Sequence, residues 1–276
     1  MTNKKNKSAI QRRLIPTYIF LIIVSFVSVF PLYWMIIAAT NTSTDVSRGT
    51  LVPGSALMDN FNNLIAQQPL WRALGNSFYY AILTTVVCLL ICSIAGYGFE
   101  VYHDKWKDKL FSILLLAMMV PQVATMVPLF QMFGKARLLN SALGFILPMI
   151  STPFMIMMFR QNARAFPIDI IEAARIDGLN EVQIFFRMFF PTMRSTYAAA
   201  AVITFMNAWN SYLWPKVIMT DNNSITMPML IANLITGYVT DYGMLMLGVL
   251  FCSIPTMIVF FVLQKQFAEG ITGAVK

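Results

Sequence analysis

The sequence predicts an all-α integral membrane protein with six transmembrane helices and both termini in the cytoplasm. Three observations support this fold class. Of the 276 residues, 58% are hydrophobic and only 12% are charged, whereas a soluble domain is typically about half apolar and about a quarter charged. Six long apolar stretches recur along the chain, and the segments that connect them alternate between rich and poor in positive charge.

A membrane-crossing helix needs roughly 20 apolar residues, because it rises about 1.5 Å per residue through a hydrocarbon core about 30 Å thick. None of the six stretches contains Asp, Glu, Lys or Arg. We therefore predict a basic arm at residues 1–13, one six-span domain at 14–266 and a tail at 267–276. The predicted spans are Leu14–Thr40, Phe78–Phe99, Leu110–Gln131, Leu143–Phe159, Tyr197–Leu213 and Met244–Leu263.

Positive charge divides the connections into two sides. One side holds 15 of the 20 Lys and Arg residues: Lys4, Lys5, Lys7, Arg12, Arg13, Lys105, Lys107, Lys109, Arg160, Arg164, Arg175, Arg187, Arg194, Lys265 and Lys276. The other side has only Arg48, Arg72, Lys135, Arg137 and Lys216. Because cytoplasmic connections carry the excess of Lys and Arg, this bias places both termini in the cytoplasm. It also accounts for the net charge of +8 without a nucleic-acid partner.

The basic arm and the apolar run behind it could also be a cleaved secretory signal peptide. The run from Leu14 is about twice as long as the apolar region of a signal peptide, so we predict an uncleaved anchor. The three cysteines, Cys88, Cys92 and Cys252, lie inside predicted spans without metal-ligand spacing. They are predicted to be small buried residues.

The connections differ in length and composition. The stretch Asn41–Ser77 is rich in Thr, Ser, Asn, Gly and Pro and is predicted to be an external loop with one short amphipathic helix near Phe61–Ile65. His103–Lys109 is predicted to be a tight cytoplasmic turn, and Asn140–Ala142 an external link. Prolines interrupt the spans, which is tolerated in lipid where neighbouring helices or a wet cavity satisfy the freed backbone groups. They are Pro31, Pro121, Pro128, Pro148 and Pro153.

The long cytoplasmic connection, residues 166–191, predicts two short helices joined by a glycine turn. Pro167 suits a first helical turn, Asp169 and Glu172 complement its positive end, and Gly178 can adopt the left-handed conformation that ends it. Asn180 then caps a second helix with Gln183 placed for a capping box, and Pro191 is predicted to end the run.

This hairpin is predicted to be a docking element. Ala173 and Ala174 are small enough to let another surface approach, and apolar side chains give the hairpin something to bury. The alternative from the residues alone is an amphipathic loop that lies on the membrane surface. The apolar side chains are Ile168, Ile171, Phe185, Phe186 and Phe189.

The pattern Glu172-Ala173-Ala174, three residues, Gly178, nine residues, and the apolar Met188 two residues before Phe190-Pro191 resembles the EAA loop of ATP-binding-cassette importer permeases. In that family the loop ends in Ile-x-Leu-Pro, whereas this chain has Met188-Phe189-Phe190-Pro191. The resemblance implies a coupling-helix hairpin that contacts an ATPase subunit through Glu172, Ala173, Ala174, Asp177, Gly178 and Pro191.

The whole chain resembles the smaller membrane subunit of maltose-type carbohydrate importers. The resemblance rests on the first span and its long external segment, on residues 205–215 and on the tail 267–276. It implies import rather than export, and a heterodimeric pore with a sister permease. It also implies two ATPase subunits that use ATP and Mg, and an extracellular or periplasmic substrate-binding protein.

Composition argues against an enzyme and against an ion-coupled carrier. The sequence lacks the glycine-rich phosphate cradle with Lys and Ser or Thr that an ATPase needs, and its single histidine, His103, is predicted to be a solvated turn residue beside Asp104. Ion-coupled carriers usually place ionisable groups within their spans, and the predicted spans hold no Asp, Glu, Lys or Arg.

Five polar or amphipathic residues in the spans are candidates for a substrate pathway: Gln122, Gln131, Asn207, Trp209 and Asn210. Amides hydrogen-bond hydroxyls and indole faces stack on sugar rings, which favours a neutral polyol. For each residue alone, helix-to-helix hydrogen bonding or a place in the interfacial aromatic belt is an equal alternative. A substrate such as glycerol phosphate would require a nearby cation, which the sister subunit could supply.

Overall fold

The computed structural model describes residues 2–236 and 240–272, with side chains in residues 15–236 and 240–265. Within these ranges every regular element is helical, as predicted. The side chains of the predicted basic arm and tail, and residues 273–276 altogether, lie outside the described part of the chain.

Fifteen α-helices follow one another along the described chain, with two 3-10 turns at Leu147–Met149 and Asn222–Ser224 and a π-helical turn at Phe185–Phe189. The helices are α1 Thr2–Ala39, α2 Ser43–Ser47, α3 Leu57–Gln67, α4 Leu70–Val101, α5 Lys105–Ala117, α6 Gln122–Lys135, α7 Ala142–Ile146, α8 Pro153–Ala163, α9 Ile168–Ile176, α10 Glu181–Ile184, α11 Phe190–Thr192, α12 Arg194–Trp209, α13 Leu213–Ile218, α14 Met227–Ile235 and α15 Tyr242–Thr272.

Three helices are long and apolar enough to cross a membrane alone. They contain Ile15–Ala39, Leu70–Val101 and Tyr242–Lys265, which match the first, second and sixth predicted spans. Two further pairs of helices pass the same test only when each is taken as one broken span, which brings the number of candidate spans in the described residues to five.

The broken pairs coincide with the third and fourth predicted spans. Between α5 and α6 the direction changes by 100°, and between residues 142–149 and α8 by 51°. A proline directly follows each break: Pro121 precedes α6, and Pro153 opens α8. Proline disfavours the helical region for the residue before it, which fits the breaks at these two positions, although Pro31 and Pro128 lie inside continuous helices. The third and fourth spans are thus not the single helices that hydropathy predicts.

The fifth predicted span is shorter than predicted. Its helix α12 has 16 residues and ends at Trp209 rather than Leu213, so it falls below the roughly 20 residues of a full crossing. The Asn210 side-chain Nδ2 donates to the carbonyl of Met206 at 2.9 Å. Such local bonds offer the backbone an alternative to continued helix.

Two predicted connections contain more helix than expected. The external stretch Asn41–Ser77 holds α2, an 11-residue α3 that includes the predicted Phe61–Ile65, and the first two turns of α4. The predicted cytoplasmic turn His103–Lys109 is helical from Lys105 onward, because Asp104 caps α5 by accepting from the Lys107 backbone at 2.8 Å. The prediction of a turn reaching Lys109 was wrong for that reason.

The first of two compact units comprises residues 1–68 and 234–251. At its centre the buried Asn60 side-chain Nδ2 donates to the carbonyls of Ala39 and Asn41, both at 2.9 Å. A Cβ placed on Gly243 would lie 2.5 Å from the carbonyl oxygen of Asn41. The start of α15 therefore approaches the end of α1 more closely than any side chain would permit.

The second unit comprises residues 69–233 and 252–276, and α4 is its central helix. Helix α4 packs against both α8 and α12. Cys88 and Cys92 are fully buried in a cluster with Phe159 and Ala200, while Cys252 is half-buried. Two of the three cysteines are thus the small buried residues that the sequence predicts.

Candidate functional site

A cavity of about 660 Å³ opens within the second unit, a size within the usual range of ligand pockets. Its walls come from α4, α6, α8, α12 and α13, from the residues just before α8 and from the segment between α12 and α13. The polar lining residues include Gln122, Thr125, Thr152, Asn207, Asn210 and Tyr212. Apolar lining comes from Met126, Leu129, Pro148, Met149, Met155 and Trp214, among others.

Three breaks in the helices meet at this cavity. Gln122 begins α6 just after the first break, Pro148 and Thr152 flank the second, and Asn210 stands where α12 ends. Interrupted helices leave backbone N–H and C=O groups unpaired, which is tolerated at membrane depth only where protein or a wet cavity satisfies them. The convergence of the breaks therefore points to a polar pathway.

The cavity wall carries no formal charge. All its lining residues within the described chain are neutral hydroxyl, amide, thiol, thioether, aliphatic, proline or aromatic groups. Such a wall offers hydrogen bonds without a counter-ion, so it suits an uncharged polar solute better than an anion, whose transfer from water would go uncompensated. No group of three His, Cys, Asp or Glu side chains that could hold a metal occurs in the described residues.

Of the five predicted pathway residues, the structure brings three together. Gln122, Asn207 and Asn210 line the cavity, whereas Gln131 and Trp209 do not. Gln131 is exposed elsewhere on α6. The Trp209 indole is 1% exposed, donates through Nε1 to the carbonyl of Cys252 at 2.9 Å and stacks on Phe205. In this structure its contacts are those of a helix-packing residue.

Several lining hydroxyls were not singled out from the sequence. Thr84, Thr125, Thr152, Thr204, Ser211 and Tyr212 all contribute to the wall. Threonine and serine are common in membrane helices, so residue type alone gives no signal. The signal that does exist is their position: Thr152 directly precedes Pro153, and Ser211 and Tyr212 lie just beyond Asn210.

The predicted cytoplasmic hairpin is present, and its turn forms as expected. Gly178 has a φ of +82°, in the left-handed region, and the amide of Leu179 donates to the carbonyl of Ala174 at 3.0 Å. Asn180 and Gln183 make both bonds of the capping box, each at 2.9 Å.

An ion pair closes the same turn. The Arg175 Nε donates to Glu181 Oε1 at 2.8 Å. The hydrogen bond from Arg175 lowers the pKa of the Glu181 carboxyl below its usual value, with a second contribution from Tyr102. The turn between α9 and α10 is therefore fixed by backbone, amide and ionic contacts together.

Three of the five apolar side chains predicted for docking are buried within the chain itself. Ile171, Phe185 and Phe189 pack around Tyr97 of α4, with ring centroids of Tyr97 and Phe189 4.8 Å apart. Ala174 is buried in the same cluster. The expectation that Ile171, Phe185, Phe189 and Ala174 offer docking surface was wrong, because they anchor the hairpin to α4.

The outward face of the hairpin is formed by other residues. Ile168, Glu172 and Ile176 follow each other at four-residue spacing, and the two isoleucines are 64% and 87% exposed. Ala173 and Asp177 are also exposed, as are Val182 and Phe186. An apolar face with acidic groups thus remains open for another protein.

Pro191 does not end the second helix as predicted. It lies inside α11, and the helical run breaks only at Met193 before α12 begins. The preceding π-helical turn lets the amide of Phe190 donate to the carbonyl of Phe185, five residues back. Because of this shift in hydrogen bonding, the helix can continue through Pro191 even though proline has no backbone N–H to donate. The hairpin therefore leads almost without interruption into α12.

Comparison with known proteins agrees with these features. The family model described as "Binding-protein-dependent transport system inner membrane component" matches residues 88–273. The lactose transport system permease protein LacG of Rhizobium radiobacter is 42% identical over 271 residues, covering 98% of this chain and 99% of that protein. The arabinooligosaccharides transport system permease protein AraQ of Halalkalibacterium halodurans is 37% identical, covering 92% and 93%. The sn-glycerol-3-phosphate transport system permease protein UgpE of Escherichia coli O1:K1 / APEC is 30% identical, covering 91% and 92%.

A solved structure shares the fold at low sequence identity. A bacterial ABC transporter involved in the import of the acidic polysaccharide alginate superposes with a TM-score of 0.83 at 19% identity, over 93% of this chain and 97% of that one. With full-length relatives above 30% identity and a family model over most of its length, this multi-pass membrane protein belongs to the binding-protein-dependent transport system inner membrane components, the permeases of ABC importers.

Proposed function

We propose that this chain forms one half of the translocation pathway of an ATP-driven importer in the cell membrane, and that the imported solute is a neutral sugar or oligosaccharide. The observation that carries the proposal is the uncharged cavity at which two broken spans and the end of α12 meet. The relatives LacG and AraQ are named for lactose and for arabinooligosaccharides, which are neutral sugars.

The proposed topology has six crossings, with both termini and the hairpin in the cytoplasm. The distribution of Lys and Arg supports this orientation. In it, the broken third and fourth spans and the short α12 each count as one crossing, and their shortened helices surround the cavity. Partner subunits complete the assembly: a sister permease, two ATPase subunits that use ATP and Mg, and a substrate-binding protein on the outer side.

The hairpin is proposed to receive the movement of an ATPase subunit. Glu172, Ala173 and Asp177 lie on its outward face, and Gly178 forms the turn behind them. Ala174 and Pro191 support the hairpin from within. A displacement of the hairpin would press on Tyr97 of α4 through Phe185 and Phe189. Since the same helix carries Thr84 and Cys88 in the cavity wall, α4 connects the two sites within one unit.

Reconstitution tests the proposed substrate and energy source. The chain is assembled with its sister permease, ATPase and binding protein in liposomes, and uptake of lactose, arabinooligosaccharides and glycerol 3-phosphate is measured with and without ATP. The proposal expects ATP-dependent uptake of a neutral sugar. Uptake driven by an ion gradient without nucleotide would refute it.

Glycerol phosphate is the second candidate, because UgpE is 30% identical to this chain. The uncharged cavity wall argues against it, since a phosphate dianion would need a cation that the described wall does not provide. Preferential uptake of glycerol 3-phosphate in the same assay would favour this candidate and would locate the required cation in the sister subunit.

A charge reversal tests the coupling role of the hairpin. Glu172→Lys should reduce ATP-dependent uptake at least tenfold while the chain still inserts and folds, because Glu172 is exposed and its replacement leaves the hairpin core intact. Asp59→Lys provides the matched control, since Asp59 is an exposed acid in α3 on the proposed external side. Unchanged uptake in Glu172→Lys would contradict the coupling role.

A further inference from the structure

Two threonines in the cavity wall carry buried hydroxyl groups without a strong hydrogen-bond partner. Thr84 lies on α4 and Thr204 on α12, the two helices that pack against each other beside the cavity. The two residues are 0% and 6% exposed; Thr84 Oγ1 has no hydrogen-bond partner, and Thr204 Oγ1 has none apart from a weak contact with the Cys88 thiol. A hydroxyl withheld from both water and protein costs free energy that folding would otherwise avoid.

The neighbouring residue shows the usual solution to this problem. Thr85 is also buried in α4, but its Oγ1 donates to the carbonyl of Ala81 one turn earlier at 2.7 Å. Threonine in a helix can generally make this bond. Thr84, one residue away on the same helix, leaves it unmade and lies in the cavity wall instead. Thr204 lies beside the thiol of Cys88, which is only a weak hydrogen-bonding group.

Burial of an unpaired hydroxyl is not enough to define a site. Thr226 also has an unpaired Oγ1 and is 3% exposed, but it is not part of the cavity wall. What distinguishes Thr84 and Thr204 is their shared position at one neutral cavity, together with the amide of Asn207 on the same α12. Hydroxyls that both donate and accept match the hydroxyls of a sugar ring.

Resting on the proposed function, we infer that Thr84 and Thr204 form a hydroxyl-binding subsite for a neutral polyol within this subunit, and so determine its substrate specificity. Both oxygens are shielded from water in the conformation described, so the subsite engages its ligand when α4 and α12 move apart during transport. The sugar hydroxyls then supply the hydrogen bonds that Thr84 and Thr204 lack while α4 and α12 are packed together.

Isosteric substitution tests the subsite in the reconstituted complex. Thr84→Val and Thr204→Val remove only the hydroxyl, and uptake is measured at saturating loaded binding protein with lactose or, if the wild type does not import lactose, arabinooligosaccharides. The number of sugar molecules imported per ATP hydrolysed should fall about threefold to tenfold, which corresponds to one lost hydrogen bond. Thr84→Ser, which keeps the hydroxyl, should retain most of the wild-type number of sugars imported per ATP.

Thermal stability separates a binding role from a structural one. Because valine removes a buried unpaired hydroxyl, Thr84→Val should keep or raise the melting temperature of the purified complex while uptake falls. Thr226→Val is the control for an unpaired hydroxyl outside the cavity and Thr85→Val for a paired one beside it. Neither control should change the number of sugars imported per ATP.

Two results would overturn the inference. One is wild-type uptake per ATP in both Thr84→Val and Thr204→Val, and the other is an equal loss in Thr226→Val or Thr85→Val. A wild-type complex that imports no neutral sugar would instead refute the proposed function, so the two failures are distinguishable.

Discussion

Arg160, in the last turns of α8, donates to Asp108 in the first turn of α5, with 2.7 Å between Nη2 and Oδ1. Its Nε also donates to Glu100 near the end of α4 at 3.2 Å, and its guanidinium lies 4.3 Å from the ring centroid of Phe111. Only 4% of the Arg160 side chain is exposed. One buried cation therefore joins three helices where the sequence places their cytoplasmic ends.

Replacing this cation should loosen α5. Arg160→Met removes both ion pairs and the aromatic contact, and we expect it to lower the free energy of unfolding by about 2 kcal/mol, below the usual cost of breaking a fully buried pair because the acidic partners can be rehydrated. Arg164→Met is the matched control, since Arg164 reaches Glu100 only at 3.4 Å and is 61% exposed. Equal melting temperatures for the two variants would contradict a special role of Arg160.

The Arg160 cluster was not predictable from the sequence. Glu100 and Arg160 each stand one residue beyond a predicted span, and Asp108 two residues before one, so each appears as an ordinary flanking charge. Their meeting depends on the close crossing of α4 and α8 at Gly96. The hairpin turn, by contrast, was predicted in detail because Gly178, Asn180 and Gln183 act on their own local backbone.

The crossing at Gly96 should not tolerate a side chain. A Cβ there would lie 2.6 Å from the Phe159 Cβ and 2.8 Å from the Arg160 amide nitrogen. Because one of these atoms is backbone, α4 and α8 would have to separate, and we expect Gly96→Ala to destabilise the chain by about 1–3 kcal/mol. Gly98→Ala, two residues away in the same helix with open space around its Cβ, should keep or raise the melting temperature because alanine favours helix, and a similar loss there would contradict the argument.

Substitution of Gly178 should be limited by its backbone conformation rather than by steric contact of the new side chain. A Cβ on Gly178 meets no atom within 4 Å, but the φ of +82° disfavours any L side chain. Gly178→Ala should therefore cost about 1 kcal/mol, measured as a lower melting temperature, and Gly178→Asn should cost less. Gly75→Ala, in open space within α4, should change stability in the opposite direction because alanine favours helix.

The ion pair at the hairpin turn should make a small, pH-dependent contribution to stability. Since Arg175 lowers the pKa of Glu181 in the folded chain, the contribution is present above the unfolded pKa of about 4.3 and is lost as the pH falls through the lower folded value. Glu181→Gln should thus lower the melting temperature slightly at pH 7, and the difference from wild type should shrink at more acidic pH. A difference independent of pH would exclude this ion pair as its cause.

The cavity was predictable in kind but not in its exact lining. Five span prolines were predicted to interrupt helices around a wet pathway. The breaks at Pro121 and Pro153 coincide with the cavity, whereas Pro31 and Pro128 lie inside continuous helices. Hydropathy could not show that the helix of the fifth span ends at Trp209, where the Asn210 side chain bonds to the Met206 carbonyl. Hydropathy also could not show which face of α12 lines the cavity. That face contains Asn207 and not Trp209.

Trp209 should contribute to stability and not to sugar binding. Phe replacement keeps an aromatic ring against Phe205 and Phe78 but removes the indole bond to the Cys252 carbonyl at 2.9 Å. We expect Trp209→Phe to cost about 1 kcal/mol of stability, seen as a lower melting temperature, and to leave sugar uptake per ATP at the wild-type value. Asn207→Leu should give the reverse pattern, because Asn207 lines the cavity. If Trp209→Phe abolished uptake without loss of stability, the indole would belong to the pathway after all, and the cavity would have to extend past α12 during transport.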